Sequence, residues 1–328
     1  MAKNKTKWTS IGGQALLEGI MMKGPEKTSI AVRHKNGEII TEDKPAAPKK
    51  WYNKAPFIRG SVNFVTQLME GYQYITRSAE LSGMMDEDED EELTKFEKWL
   101  TDKFGEKLVS GIMVIAMILC IAVMVVLFMF VPTWIFTLIQ HLAGDTDISA
   151  FQSVIEGVLK MIIFVVYMGG VAISKDIRRT YEYHGAEHKT IACYEAKLPL
   201  TVENVKKQRR FHPRCGTSFI FLVILISILV YSIFPITNEM FITNFGVSEL
   251  VAMILRVSCK IILLPVIVGI SYEIIRIAGR FDNIITKIIS APGLLLQRLT
   301  TREPDDKQIE VAIAAMNIVI PENSEDIK

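Results

Sequence analysis

The stretch 108–136 is apolar and carries no charged side chain, and it exceeds the roughly 20 residues a helix needs to cross a bilayer's hydrocarbon. In lipid every backbone N–H and C=O must be satisfied within the protein, so a lone stretch of this kind is expected as a helix. Three further segments repeat the signal. Residues 153–174 hold Glu156 and Lys160 near their start, 217–236 are uncharged, and 250–272 contain Arg256 and Lys260. Half of the 328 residues are hydrophobic and the mean hydropathy is +0.28, which argues against a soluble globule. The expected fold class is mainly α: a polytopic membrane protein with about four transmembrane helices and a cytosolic N-terminal α+β region.

Loop charge sets the expected orientation. Residues 137–152 and 237–249 contain no Lys or Arg, whereas 175–215 contain ten. Arg276, Arg280, Lys287, Arg298 and Arg302 follow the last apolar segment. Short loops rich in Lys and Arg mark the cytosolic side. Both termini and the 175–215 loop are therefore expected inside. Arg256 and Lys260 make the fourth segment costly to bury, by a few kcal/mol each on an insertion scale. Either residues 247–260 lie along the interface, or Glu156 of the second segment pairs with them. The N-terminus is basic but leads into no apolar core, so no cleavable signal peptide is expected. Cys120 and Cys259 lie in apolar runs, and Cys193 and Cys215 form no CxxC pair, which fits a reducing compartment better than a disulfide framework.

The domain plan that follows has four parts. Residues 1–85 are expected as a cytosolic region with a β-hairpin around Asn36-Gly37 and an amphipathic helix over 57–80. Residues 86–107 read as an acidic linker, 108–272 as a four-helix membrane domain including the cytosolic loop 175–215, and 273–328 as a cytosolic C-terminal helical segment. The glycine-rich stretch at 12–24 reads as tight turns, with Gln14 or Glu18 as residues that could instead reach the central loop.

That loop holds the chemistry. In the sequence YHGAEHKTIACYE at 183–195, His184 and His188 are four residues apart, which on a helix places them within about 40° of each other. Glu187 falls beside His184, Glu195 returns to the same face, and Cys193 points away. Two imidazoles one turn apart can present two nitrogens to one ion, and H-x-x-E-H is the inverted zincin pattern. His212 and Cys215 follow at the entrance to the third apolar segment. Together His184, His188, His212 and Cys215 offer a mixed N/S donor set suited to Zn2+ or another divalent transition metal. Glu187 or Glu195 would be a ligand or a general base. Four protein ligands would close the ion's shell and make it structural; three would leave a position open. The spacing does not choose between them.

Five motifs carry a resemblance. They are GGQALLEGIMMKGP at 12–25, PFIRG at 56–60, HGAEH at 184–188, HPRCGTSF at 212–219 and QRLTTREP at 297–304. Together they resemble the YqhQ-like bacterial integral membrane proteins over nearly the whole chain. The resemblance implies the bacterial cytoplasmic (inner) membrane and the general description of a predicted metal-dependent enzyme. It brings no substrate. The chain matches the pattern at His184, Glu187, His188, His212 and Cys215.

The function expected first is a membrane-embedded, metal-dependent and hydrolytic enzyme with a cytosol-facing His/Glu/Cys site. Lys160, Arg256 and Lys260 would be available to the anionic group of a lipid or lipid-linked substrate. The rival is a non-catalytic membrane scaffold or biogenesis factor, in which the His/Cys cluster is a staple. In that reading the basic residues Lys206, Lys207, Arg209 and Arg210 face a translocation or ribosomal partner. The net charge of +1 gives no global field toward nucleic acid, so no specific DNA binding is expected.

Overall fold

The computed structural model describes residues 9–48, 51–53, 55–84, 106–144, 146, 148–213, 215–234, 236–278 and 284–321. Most of the expected acidic linker, 86–105, lies outside the described residues, as do Arg214 and Arg280. The described chain is mainly helical after a small sheet. Strands β1 (Gly12–Leu16), β2 (Gly19–Lys23), β3 (Lys27–Arg33) and β4 (Ile39–Pro45) come first. Helices α1 (Ile58–Leu81), α2 (Glu106–Val125), α3 (Val131–Leu142), α4 (Gln152–Val171) and α5 (Lys175–Glu195) follow. Then come α6 (Val202–Lys206), α7 (Gly216–Ile233), α8 (Asn238–Phe245), α9 (Glu249–Ala278), α10 (Ile284–Thr300) and α11 (Asp306–Val319).

Four helical stretches are long and apolar enough to cross a membrane: Met117–Leu142, Ser149–Val171, Gly216–Phe245 and Glu249–Ile277. They correspond to the four apolar segments of the sequence. Their outward side chains, such as Leu119, Val166, Leu229 and Ile262, are exposed, which is compatible with contact to lipid. The chain divides into two units. One comprises Met1–Met85, Val165–Ser227 and Leu263–Lys328; the other comprises Asp86–Phe164 and Ile228–Ile262.

In the first unit the four strands form an antiparallel meander in the order β1-β2-β3-β4. The β3–β4 hairpin turns at Asn36-Gly37, where Gly37 has φ 93°, a left-handed conformation that glycine adopts without a Cβ penalty. The stretch at 12–24, expected as turns, instead supplies β1 and β2. Ile20, Met21 and Met22 of β2 are all buried, and a strand buried on both faces shows no alternation from which to recognise it. Successive side chains leave a strand on opposite faces. Ile20, Met22 and Ala31 accordingly join a core with Tyr183, Ala186 and Ile191 of α5 and Ile309, Ala312, Ala315 and Met316 of α11. Leu16, Met21, Ile30 and Val32 pack on the other face with Tyr74 of α1. The sheet is thus sandwiched between α5 with α11 on one side and α1 on the other. The expected amphipathic helix is α1, whose outer face leaves Val65, Leu68, Met69 and Tyr72 exposed. Helix α11 starts with a capping box between Asp305 and Gln308, which satisfies backbone N–H groups at the helix start.

In the second unit, α2 runs into a π turn over Val126–Phe130 before α3. Pro132 lies in the first turn of α3 and has no N–H to give to the preceding turn, so the wider turn falls where that bond is missing. Of the two ways to accommodate Arg256 and Lys260, pairing with Glu156 occurs. Glu156 Oε1 lies 2.7 Å from Arg256 Nη2, and Oε2 lies 2.8 Å from Lys260 Nζ. Residues 249–278 form one helix through Pro265.

Candidate metal centre

Helix α5 has one face in the core and the other at the site. Tyr183, Ala186, Ile191 and Cys193 anchor it among the apolar residues of the sheet and α11. That fixes the phase: His184, His188 and Glu195 fall on the remaining side, while Glu187 lies between Tyr183 and Ile191 and faces Gly13 of β1. Cys193 points into the core, as its helical position predicts.

His184, His188 and Cys215 converge, with one ligand atom from each lying within 4.8 Å of the other two. The two imidazole rings are 4.4 Å apart between centroids. His184 Nδ1 is 2.9 Å from the carbonyl oxygen of Thr300, and His188 Nδ1 is 2.6 Å from that of Arg210. A carbonyl oxygen can only accept, so each Nδ1 must carry the hydrogen. Each neutral ring then has its lone pair on Nε2. For His184 that nitrogen lies 3.3 Å from Cys215 Sγ. Burial holds His188 below the ordinary imidazole range, although hydrogen bonding to Cys215 opposes this. The neutral form of His188 is therefore favoured. Thr217 Oγ1 donates to Cys215 Sγ at 3.3 Å.

The donor set fits an ion. Metal-binding histidines commonly tie their other ring N–H to a carbonyl or carboxylate, which fixes tautomer and ring orientation. At zinc, with bonds of about 2.0 Å to nitrogen and 2.3 Å to sulfur, tetrahedral geometry keeps N and S about 3.5 Å apart. The observed 3.3 Å between His184 Nε2 and Cys215 Sγ is close to that.

His212, the fourth expected ligand, is not one of these three. Its ring centroid is 5.7 Å from that of His188, and its Nε2 lies 3.5 Å from Glu195 Oε2. Glu195 also accepts the backbone N–H of Thr9 at 3.0 Å through Oε1. The two expected carboxylates thus occupy different settings. Glu187 is buried and accepts the backbone N–H of Gly13; burial, opposed by His184 and by that N–H, pushes its carboxyl up to about 7. A Cβ on Gly13 would meet the backbone oxygen of Met21 at 2.7 Å and Glu187 Cδ at 3.0 Å. Only glycine lets β1 approach the carboxylate so closely.

Two neighbours of the cluster come from the C-terminal part of the sequence. Gln297 is fully buried, accepts the His212 N–H at 2.8 Å and donates to the His212 carbonyl at 2.8 Å. Thr300, three residues on, supplies the carbonyl that orients His184. The backbone can approach because residue 185 is glycine, whose hypothetical Cβ would collide with the Arg302 carbonyl. The signal that could have found them is Gln297, Thr300 and Thr301, polar residues at helical spacing at and just past the end of α10, all of them buried.

Of the two residues considered as extra partners, Glu18 does reach α5, but at Arg179 and Tyr183 rather than at the histidines. It takes both Nε and Nη2 of Arg179. Burial, together with the nearby Glu18 carboxylate, pushes the Tyr183 phenol well above its ordinary range. Gln14 lies against Gly71 of α1, where its side-chain amide would be 3.1 Å from an added Cβ. The basic residues at and after the end of α6 are partly paired. Lys206 meets Asp306 at 2.7 Å, Lys207 meets Glu203 at 2.6 Å, and Arg210 is 3.8 Å from Glu303.

The family model described as "Protein of unknown function (DUF1385)" matches residues 55–322. That span contains the whole cluster. The "Uncharacterized protein YqhQ" of Bacillus subtilis (strain 168) is 35% identical over 326 residues, covering 97% of this chain and 94% of the relative. No solved structure matches the chain. With a family model covering most of its length and a relative aligned almost end to end, the chain belongs to the DUF1385 family.

Proposed function

We propose that this chain is a multi-pass protein of the bacterial cytoplasmic membrane with both termini and the 175–215 segment in the cytosol. We further propose that His184, His188 and Cys215 hold a divalent transition ion, zinc by donor chemistry, for a hydrolytic reaction. The observation that supports this most is the shared orientation of the two histidines. Each gives its Nδ1 hydrogen to a backbone carbonyl, and the lone pair of His184 faces the sulfur of Cys215 at 3.3 Å.

Three donors of the type N, N, S leave one position open, as catalytic zinc sites do. An ion held there would serve as a Lewis acid and lower the pKa of water to about 7. Glu187 is the base in this reading. It lies one residue from His188, is buried, and is held by the Gly13 N–H. Glu195, held by Thr9 and facing His212, orients that histidine at the edge of the site.

Metal analysis of the purified wild type beside His184→Ala, Glu187→Gln and Cys215→Ser tests this. A well-folded wild type without stoichiometric metal overturns it. Glu187→Gln that keeps metal and fold but loses cellular function supports catalysis.

A second reading has its own support in burial. His188 is 2% exposed and Cys215 8% exposed, as expected of a structural staple in a membrane scaffold or biogenesis factor. Glu187→Gln that retains metal, fold and cellular function favours this reading, and co-purification of a translocation or ribosomal component would extend it.

A further inference from the structure

The second unit contains charges that the cluster of the first unit does not use. Arg256 is 1% exposed, Lys260 is 4% exposed and Glu156 is 2% exposed, all on helices long and apolar enough to cross a membrane. Glu156 is surrounded. It takes Arg256 Nη2 and Lys260 Nζ, and the Gln152 amide donates to Oε1 at 2.9 Å. Thr133 Oγ1 accepts a further hydrogen bond from Arg256 Nη2. Lys160 follows Glu156 by one turn of α4 and lies in the field of Lys260, Glu156 and Arg256. Among the described residues it makes no ion pair.

Neither charge nor hydrogen bonding balances here. Arg256, Lys260 and Lys160 are three formal positive charges against the single negative charge of Glu156. Arg256 has donors to spare as well: its Nε and Nη1 are buried and find no acceptor among the described residues. A buried N–H left without a partner costs about 1–3 kcal/mol, more when the group is charged. Intramembrane charges in this situation mark ligand or ion sites as a rule. The missing complement is anionic and rich in acceptors. A planar guanidinium with free N–H groups beside two ammonium groups matches the oxygens of a phosphoryl group.

The geometry points to an oxyanion site in the second unit, formed by Arg256, Lys260 and Lys160 around Glu156, that takes a phosphoryl group. The ligand is either the phosphate of an anionic lipid headgroup or a soluble phosphate. Glu156 sets the spacing of Arg256 and Lys260, and Lys160 supplies a positive charge that no ion pair among the described residues takes up. The site does not depend on the ion proposed for His184, His188 and Cys215, and none of its residues belongs to that cluster.

The test uses the full chain, purified in neutral detergent. Bound lipid is counted by native mass spectrometry during titration with phosphatidylglycerol or with diacylglycerol, which lacks the phosphate, with and without inorganic phosphate as competitor. Phosphatidylglycerol is expected to bind at least tenfold more tightly than diacylglycerol, or inorganic phosphate to bind on its own by calorimetry. Displacement of the lipid by phosphate identifies a soluble oxyanion, and lipid binding insensitive to phosphate identifies a headgroup. Lys160→Gln, which leaves both Glu156 pairs in place, is expected to weaken the binding about tenfold, and Lys160→Arg to retain it. Equal binding of the two lipids with no phosphate binding overturns the proposal. So does unchanged binding by a folded Lys160→Gln. Should Lys160→Gln lose its fold, Arg256→Lys decides by the same criterion, since it keeps the charge and removes the spare guanidinium donors.

Discussion

Gln297 grips the backbone of His212 from both sides, accepting its N–H and donating to its carbonyl, each at 2.8 Å. An amide side chain is the natural group for this, because it carries one acceptor and two donors. The grip holds the segment between α6 and α7 so that Cys215, three residues on, meets the histidines of α5.

Gln297→Leu keeps the volume but leaves the buried N–H and C=O of His212 without partners. Each such loss costs about 1–3 kcal/mol, so a destabilisation of about 2–6 kcal/mol is expected. A thermal melt of the purified variant reads it. A melt unchanged within a degree would show that the clamp carries no stability.

Gly185→Ala places a methyl group against the Arg302 carbonyl, a backbone atom that no rotamer change can move. Overpacking of this kind costs about 1–3 kcal/mol, and the shift would also displace Thr300 from His184. The variant is expected to melt earlier and to bind metal less tightly than wild type. Ala186, the neighbouring residue on the core face, provides the comparison through Ala186→Gly, which should lose stability but not metal.

Glu156→Gln removes the counter-charge from two buried cations. Breaking a buried pair by deleting one partner costs about 3–5 kcal/mol. Here two ion pairs share the deleted carboxylate, so the upper part of that range is expected from detergent-solubilised unfolding. An unfolding midpoint equal to that of wild type would mean that Glu156 does not hold Arg256 and Lys260.

Chelator sensitivity separates an ion at the cluster from one elsewhere. A ligand that binds only the folded state stabilises it by RT ln(1 + [L]/Kd). The wild type is therefore expected to melt earlier in the presence of a strong chelator, and Cys215→Ser to show little or no further loss. A Cys215→Ser variant that responds to chelator as wild type does would place the ion at other residues.

The parts legible in the sequence are those set by local periodicity. The uncharged run at 108–136, the four-residue step from His184 to His188 and the turn at Asn36-Gly37 each depend on neighbours within a few residues. The pairing of Glu156 with Arg256 and Lys260 was also readable, because a lone acid and two bases in apolar helices have few other partners. Strands β1 and β2 were not, since β2 is buried on both faces and its glycine-rich neighbourhood resembles a loop. Gln297 and Thr300 were not either. They meet His212 and His184 across 85 and 116 residues of chain, and no local pattern encodes a contact of that span. His212 turns its Nε2 toward Glu195 at 3.5 Å while Gln297 holds its backbone, and spacing alone reveals neither.

The first unit is assembled from three separated pieces of chain, and this governs the order in which it can be completed during synthesis. The strands leave the ribosome first, with Ile20, Met22 and Ala31 still uncovered. Their cover, α11, and the Gln297 and Thr300 groups that hold His212 and His184 are made later, after the four long apolar stretches. A chain that stalls or is clipped before residue 297 therefore carries His184, His188 and Cys215 without those two supports. An ordered cluster thus reports that synthesis has passed residue 300.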